Sequence, residues 1–329
     1  MERPPEEPPA TRPKQWSRWA ITVAITGLVI FVLVRHISSV QGMEATFQKA
    51  HWSWIWVPFA WMTFNVFVAT IRWNLIVHAM GYAVPFGRVL YAVLATWPLA
   101  LITPSRASDL LRAWAIRDKV PLAQGAGTVV SEKVIDLQSL GLYTLFGSLF
   151  SGLWVWGVTA FAALIALWTF VYLLLTRLDS ILEWKWLRKR STMIRNFFQV
   201  FTELRNNPKQ FFIICFFSLL GWAGAIGIAT SLLWIFGANL TVSQVFTLWP
   251  IALFLAYIPI TLAGMGTRDA VFLSLVWVSS HSMPHQANIL TSTLVYALVT
   301  TVYPALLGLP LMFRFLQDLR KPKTPATES

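Results

Sequence analysis

Residues 211–236 read FFIICFFSLLGWAGAIGIATSLLWIF, a run without one charged side chain. Coiled as an α-helix at about 1.5 Å per residue, such a run is longer than the roughly 30 Å hydrocarbon core of a bilayer. The whole chain has this character, since 56% of its 329 residues are hydrophobic and 12% are charged. Soluble domains are about a quarter charged. The sequence therefore predicts an all-α integral membrane protein.

Charge and composition argue against several function classes. The formal net charge is +12, but Lys and Arg lie between apolar runs rather than on one soluble face, so we expect no nucleic-acid partner. Cys215 is the single cysteine, and the histidines are not spaced as a metal site, so we expect no metal and no cofactor. No Ser/His/Asp set or Gly-rich phosphate loop indicates an enzyme. An intramembrane transferase using Asp109 or Glu132 as its base remains an alternative.

Six apolar runs are predicted to be full transmembrane helices. They cover about residues 19–34, 54–71, 134–150, 153–175, 211–236 and 287–313. Two further stretches, 89–120 and 245–280, each join a short apolar run to a proline-led break and a charged segment. Irregular backbone is tolerated inside a membrane where it is buried in protein or lines a cavity. We therefore predict two re-entrant helical hairpins.

The positive charges favour one threading of these segments. Basic residues concentrate in the polar tail 1–18, in the segment 177–209 and in the tail 314–329, which predicts that all three are cytoplasmic. The two hairpins then enter from opposite faces, so 19–152 and 153–313 form an inverted-topology repeat, an architecture typical of transporters. We expect a multi-pass protein of a bacterial cytoplasmic (inner) membrane with both termini cytoplasmic.

One cytoplasmic segment is predicted to be an amphipathic helix. Within 177–209, apolar side chains recur at helical spacing at Ile194, Phe197, Phe198, Phe201 and Leu204. Arginines occupy the rest of the turn. We expect this helix to lie on anionic lipid.

The hairpin tips are the predicted binding site. Ser105 or Ser108 is a candidate N-cap after Pro104, and Thr267 is one after Gly266. Backbone N–H groups and the positive end of each helix dipole would then face a shared cavity and favour an anion, of which lipid phosphate is the most available. Arg106, Arg112 and Arg268 would add forked donors suited to phosphate oxygens.

The same arginines have a structural alternative. Arg106 and Arg112 could pair with Asp109 and Asp118 in a cytoplasmic loop. Arg268 could pair with its neighbour Asp269. An ionisable residue inside the membrane is by default a functional hypothesis.

Two carboxylates lie one helical turn apart near the cytoplasmic start of the third crossing. Glu132 and Asp136 share a helix face, with Lys133 beside them. They could carry a coupling proton or cation. They could equally neutralise Arg112 or Lys133 and hold the first hairpin in place.

These segments resemble a known family. The resemblance is carried by Arg72-Trp73 with Gly81 and Pro85, by TPSRASDLLRAWAIRDKVPLAQGAGTVVSEKVIDL from Thr103, and by YIPITLAGMGTRDAVFL from Tyr257. Together they are similar to the flippase-like transmembrane domain of lysylphosphatidylglycerol synthases, over roughly residues 15–315. Ser108 and Asp269 stand where the family pattern has Gly and Glu. The soluble aminoacyl-transferring domain is not found after Arg314, so lysyl transfer is not inferred.

The resemblance implies a function. In the two-domain synthases this domain moves aminoacylated phospholipid between leaflets, and some single-domain members are similar to proteins of hopanoid or cell-envelope glycolipid pathways. We therefore expect a flippase or transporter for an anionic phospholipid or related glycolipid. The alternative is a lipid-binding scaffold subunit whose partners are lipid or envelope biosynthetic enzymes.

Overall fold

The computed structural model describes residues 42–101, 107–183, 188, 190–256, 267–280 and 286–320. Within these ranges the chain forms helices and turns and no strand. Four stretches are long and apolar enough to cross a membrane: Trp52–Ala79, Trp154–Thr176, Pro208–Ile235 and Gln286–Leu319. They coincide with four of the six predicted crossings, so the all-α membrane architecture is confirmed. The predicted crossing 19–34 lies outside the described residues.

The helices are numbered here in chain order. They are α1 (Met43–Lys49), α2 (Trp56–Ala79), α3 (Phe86–Ala100), α4 (Arg112–Ala115), α5 (Leu122–Ser151), α6 (Trp154–Thr176), α7 (Leu178–Leu182), α8 (Ser191–Asn206), α9 (Pro208–Ile235), α10 (Val242–Ala256), α11 (Thr267–Ser280), α12 (Gln286–Ala297) and α13 (Tyr303–Arg320). The 3-10 turns Trp52–Trp54 and Ala107–Leu111 precede α2 and α4. A π-helical turn, Leu298–Val302, joins α12 to α13.

The predicted crossing 134–150 lies within α5, which begins twelve residues before the predicted start. This helix is less apolar than the four candidate membrane-spanning stretches given above. Pro121 precedes its first residue, as predicted, and the helix runs for 30 residues. Its polar side chains, including Thr128, Ser131 and Ser139, are buried. A helix whose polar face is turned into protein needs less overall apolarity, so length and composition alone do not single it out.

The second crossing is longer than predicted. The predicted crossing ends at residue 71, but α2 continues to Ala79. Arg72 is therefore a helical residue, and only 7% of it is exposed. The predicted end is too early because a charged residue does not end a helix whose apolar residues continue after it and whose charge is neutralised by carboxylates of another helix.

In both predicted hairpins the described segments on either side of the break contact each other, while the breaks themselves, at 102–106 and 257–266, lie outside the described residues. The turn Ala107–Leu111 and α4 pack back against α3, and α11 packs against α10. The first return segment is shorter than expected, however: Ser108 lies inside a 3-10 turn and does not cap a half-helix, and α4 spans four residues. Such short segments carry little dipole, so the described residues of the first hairpin segment, Ser108 included, offer no helix-dipole site, and the other candidate N-cap, Ser105, lies outside them.

Small residues set how closely the long helices approach. A Cβ on Gly308 of α13 would lie 1.9 Å from the backbone oxygen of Leu94 in α3. A Cβ on Gly147 of α5 would lie 2.8 Å from the backbone of α10 at Phe246. Backbone contact at glycine is typical of helix pairs in membranes, where no hydrophobic force drives helices together.

The amphipathic segment is the helix α8, as predicted, but one face of it contacts protein. Val200 and Leu204 are buried beside Ile135 of α5. A Cβ on Gly127 of α5 would clash with the backbone oxygen of Phe197, so α5 and α8 are in backbone contact there. Contact of the remaining face with anionic lipid stays a prediction.

Candidate functional site

A cavity of about 210 Å³ lies between the two hairpin segments. Its wall includes α3, α4, α10 and α11 of the hairpins, and α2, α5 and α9 of the surrounding helices. The charged residues that line it are Arg72, Asp109, Arg112, Glu132, Lys133, Asp136 and Arg268. The volume is below the roughly 300–1,000 Å³ of pockets for drug-sized ligands, so it suits a small polar group rather than a whole lipid.

Arg72 of α2 is the centre of an ion-pair network with α5. Its Nη2 donates to Glu132 Oε1 at 2.5 Å, and its Nη1 donates to Asp136 Oδ1 at 2.5 Å. The two carboxylates reach one guanidinium because they are four residues apart on one face of α5. Charge-assisted bonds of this forked kind are the strong ones in proteins.

Neutral groups of α9 complete the shell of Asp136. Trp222 Nε1 donates to Asp136 Oδ1 at 2.9 Å, and Ser218 Oγ donates to the same oxygen at 3.2 Å. Ser139 of α5 in turn donates to Ser218 at 2.9 Å. Asp136 therefore joins three helices through one side chain.

The first hairpin is tied to the same network. Arg112 Nη2 donates to Glu132 Oε2 at 2.7 Å, and its Nε donates to the backbone oxygen of Asp109 at 3.1 Å. The Arg112 guanidinium lies over the Trp73 ring, 5.0 Å from its centroid. Lys133 pairs with Asp109 Oδ2 at 2.7 Å. Glu132 thus bridges Arg72 of a long helix and Arg112 of the hairpin.

The second predicted hairpin contributes Arg268 to the wall of the same cavity. Its Nη2 donates to Asp269 Oδ1 at 2.7 Å and to the backbone oxygen of Thr293 at 3.0 Å. Its guanidinium lies 4.7 Å from the ring centroid of Tyr296 and 5.4 Å from that of Trp249. Arg268 is 4% exposed. Arg268 is therefore fixed by a carboxylate, a backbone oxygen and two aromatic rings, and it still lines the cavity.

The structure brings most of the predicted site residues together. Arg112, Asp109, Glu132, Asp136 and Arg268 line one cavity, and Asp269 holds Arg268. Ser105 and Arg106 lie outside the described residues. Thr267 is the first residue of α11, so the helix begins at the predicted place.

Two of the predicted ion pairs are present, Arg112 with Glu132 and Arg268 with Asp269, whereas Asp118 has another partner. Arg112 pairs with Glu132. Asp118, the other predicted partner, instead pairs with Arg88 at 2.6 Å on the surface. The predicted Arg268–Asp269 pair is present.

Several residues of the site were missed from the sequence. Arg72, Trp222 and Tyr296 were not proposed, and the π-helical turn that places Thr300 and Thr301 on the cavity wall was not expected. Arg72 alone carried a signal, since it is a lone arginine inside an apolar stretch. The others are ordinary membrane-helix residues whose role depends on what packs against them.

Asn65 of α2 also lines the cavity. Its Oδ1 is buried and accepts no hydrogen bond from the part of the chain that the structure describes. Buried acceptors are normally satisfied, so this atom is available to a donor on a ligand.

The chain is similar in sequence to known membrane proteins. The family model described as the lysylphosphatidylglycerol synthase TM region matches residues 19–308. A UPF0104 membrane protein of Methanocaldococcus jannaschii is 25% identical over 283 residues, which are 78% of this chain and 83% of the relative. The residues matched by the family model include both predicted hairpin segments and the charged residues of the network. The chain therefore belongs to the lysylphosphatidylglycerol synthase TM region family.

Proposed function

We propose that the protein moves a lipid with an anionic head group, a phospholipid or related glycolipid, between the leaflets of a membrane. The observation that carries the proposal is the cavity whose wall holds three buried arginines, Arg72, Arg112 and Arg268, from three separate elements. Guanidinium groups bind phosphate oxygens in a forked geometry. The cavity accommodates a head group, and the tails remain in the bilayer.

The way in which the arginines are distributed supports movement rather than static binding. Arg112 belongs to one hairpin and Arg268 to the other, so a head group between them is held by two separate structural units. In the proposed inverted repeat, these units rock against each other and expose the cavity to one leaflet and then the other. Asn65 Oδ1 is an acceptor for a hydroxyl or ammonium group of the same head group.

Transfer of fluorescent phosphatidylglycerol in vesicles that contain only this protein tests the proposal. Arg112→Ala and Arg268→Ala each remove a charge-assisted contact worth roughly 1.5–3 kcal/mol, so transfer should fall about tenfold or more. Arg205→Ala removes the same charge from the exposed face of α8, outside the cavity, and should transfer as the wild type does. Unchanged transfer in both cavity variants, with the proteins still folded by size-exclusion chromatography, would overturn the proposed role of the arginines.

A scaffold that holds lipid for a biosynthetic enzyme is the second candidate. It is favoured by the closed ion-pair network, in which Arg72 already binds two carboxylates. The same vesicles separate the two functions. A scaffold retains lipid through purification, as mass spectrometry would show, but moves none between leaflets.

The proposal assigns binding and movement, and no catalysis, to these groups. Purified protein incubated with donor lipids should therefore give no new product. A product that disappears in Glu132→Gln would instead support an intramembrane transferase.

A further inference from the structure

We propose that Glu132 takes up one proton when the anionic head group binds, so that lipid movement is coupled to protons. This inference rests on the proposed function and adds its coupling residue. It starts from one juxtaposition: Glu132, on the cavity wall, is bridged between Arg72 and Arg112.

Two of the arginines that would receive the head group, Arg72 and Arg112, already donate hydrogen bonds to carboxylates. Arg72 directs Nε and Nη2 to Glu132 and Nη1 to Asp136. Arg112 directs Nη2 to Glu132 and Nε to a backbone oxygen. A phosphate that takes the contacts of Arg72, or the Nη2 contact of Arg112, therefore displaces a carboxylate.

The charges of the described cavity residues are matched before any ligand enters. Arg72 and Arg112 face Glu132 and Asp136, Lys133 faces Asp109, and Arg268 faces Asp269. An added phosphate leaves one negative charge in excess. An uncompensated charge in a buried site is costly, and a carboxylate in that position takes a proton instead.

The hydrogen-bond donors around each carboxylate indicate which of the two takes the proton. Asp136 keeps two neutral donors, Trp222 and Ser218, when Arg72 turns to the ligand. Hydrogen bonds to the charged form keep a carboxylate ionised. The hydrogen bonds of Glu132 within the described chain come from arginines alone, so Glu132 loses its stabilisation and is the group to be protonated.

The remaining neighbours of α5 do not change this assignment. Helices α6 and α10 carry no charged side chain. Helix α9 faces the network with Ser218 and Trp222, and α8 faces α5 with Val200 and Leu204. The charged groups of α8, Arg195, Glu203 and Arg205, are half-buried or exposed. Arg72, Arg112, Lys133, Asp109, Asp136 and Arg268 are thus the charges that act on Glu132.

The step is balanced in charge. The head group arrives with its phosphate anion, one proton arrives from water, and the proton ends on the Glu132 carboxyl as the phosphate takes the guanidinium contacts. When the lipid leaves, Glu132 returns its proton and the ion pairs re-form. One proton therefore enters and leaves with each lipid.

Calorimetry of short-chain phosphatidylglycerol binding to the full chain in detergent tests this inference. Titrations in two buffers with different heats of ionisation give the protons taken up, and a phosphodiester binds none itself near neutral pH. We expect about one proton per lipid for the wild type and for Asp118→Asn, whose carboxylate lies outside the cavity, and about none for Glu132→Gln. Zero uptake by the wild type, or equal uptake by Glu132→Gln, would overturn the proposal.

Infrared difference spectra identify the residue without a variant. Lipid binding should produce the C=O band of a protonated carboxyl, and this band should shift when glutamate, but not aspartate, is labelled with ¹³C. A shift with labelled aspartate contradicts the assignment even if Glu132→Gln fails to fold. Lipid transfer without proton uptake would remove the coupling alone, whereas proton uptake without transfer would remove the transport function alone.

Discussion

Arg72 stays charged within an apolar helix because two carboxylates and a hydroxyl surround its guanidinium. Breaking a buried ion pair by removing one partner is more costly than removing the pair, since the remaining charge is left without compensation. Glu132 and Asp136 would both face this situation if Arg72 were lost. The residue is therefore a stability determinant as well as a part of the cavity wall.

Arg72→Gln should lower the free energy of unfolding by about 3–5 kcal/mol, measured as a loss of thermal stability in detergent. Arg205→Gln, which removes an exposed charge from α8, should cost about 0–0.5 kcal/mol. Adding Asp136→Asn to Arg72→Gln should restore part of the stability, because Asp136 is then neutral while Glu132 keeps its partner Arg112. Equal stability of the two single variants would contradict the structural role of Arg72.

At the scale of elements, pairs of helices meet through backbone contact. Helix α13 approaches α3 so closely at Gly308 that no side chain fits there. This contact fixes the first hairpin against the end of the chain, since α3 is its first arm. The glycine was visible in the sequence, but its partner Leu94 was not, because the two lie more than two hundred residues apart.

Gly308→Val should force α3 and α13 apart and destabilise the protein by about 1–3 kcal/mol, the usual cost of overpacking. Gly87→Ala is the matched control within α3, since a Cβ there meets nothing within 4 Å. It should leave the melting temperature unchanged or raise it slightly. A Gly308→Val protein that melts with the wild type would show that α3 and α13 are not in close contact.

At the scale of the whole molecule, the proposed topology assigns each loop to one face of the membrane. The segment 177–209 is proposed to be cytoplasmic, and α9 then carries the chain to the other face before α10. Ser180 of α7 and Thr241 before α10 are both exposed, so they report on opposite faces. The single cysteine, Cys215, is buried and can be replaced to give a background without thiols.

In a Cys215→Ala background, Thr241→Cys should react with a membrane-impermeant maleimide on intact spheroplasts. Ser180→Cys should react only after lysis, because positive loops stay in the cytoplasm. Adding detergent should make both sites reactive, which controls for accessibility. Labelling of Ser180→Cys on intact spheroplasts would reverse the orientation.

The amino-acid sequence by itself determined that this is an α-helical membrane protein, where most of its long helices lie, and that charged segments follow two interrupted helices. These properties depend on the local composition and period of the chain, which decide how it partitions between lipid and water. Only the tertiary structure decided that Arg72 is buried, that Glu132 joins it to Arg112, and that Arg268 lines the same cavity. Those contacts join residues far apart in the chain, and the energy that holds each charge comes from partners that no local pattern specifies.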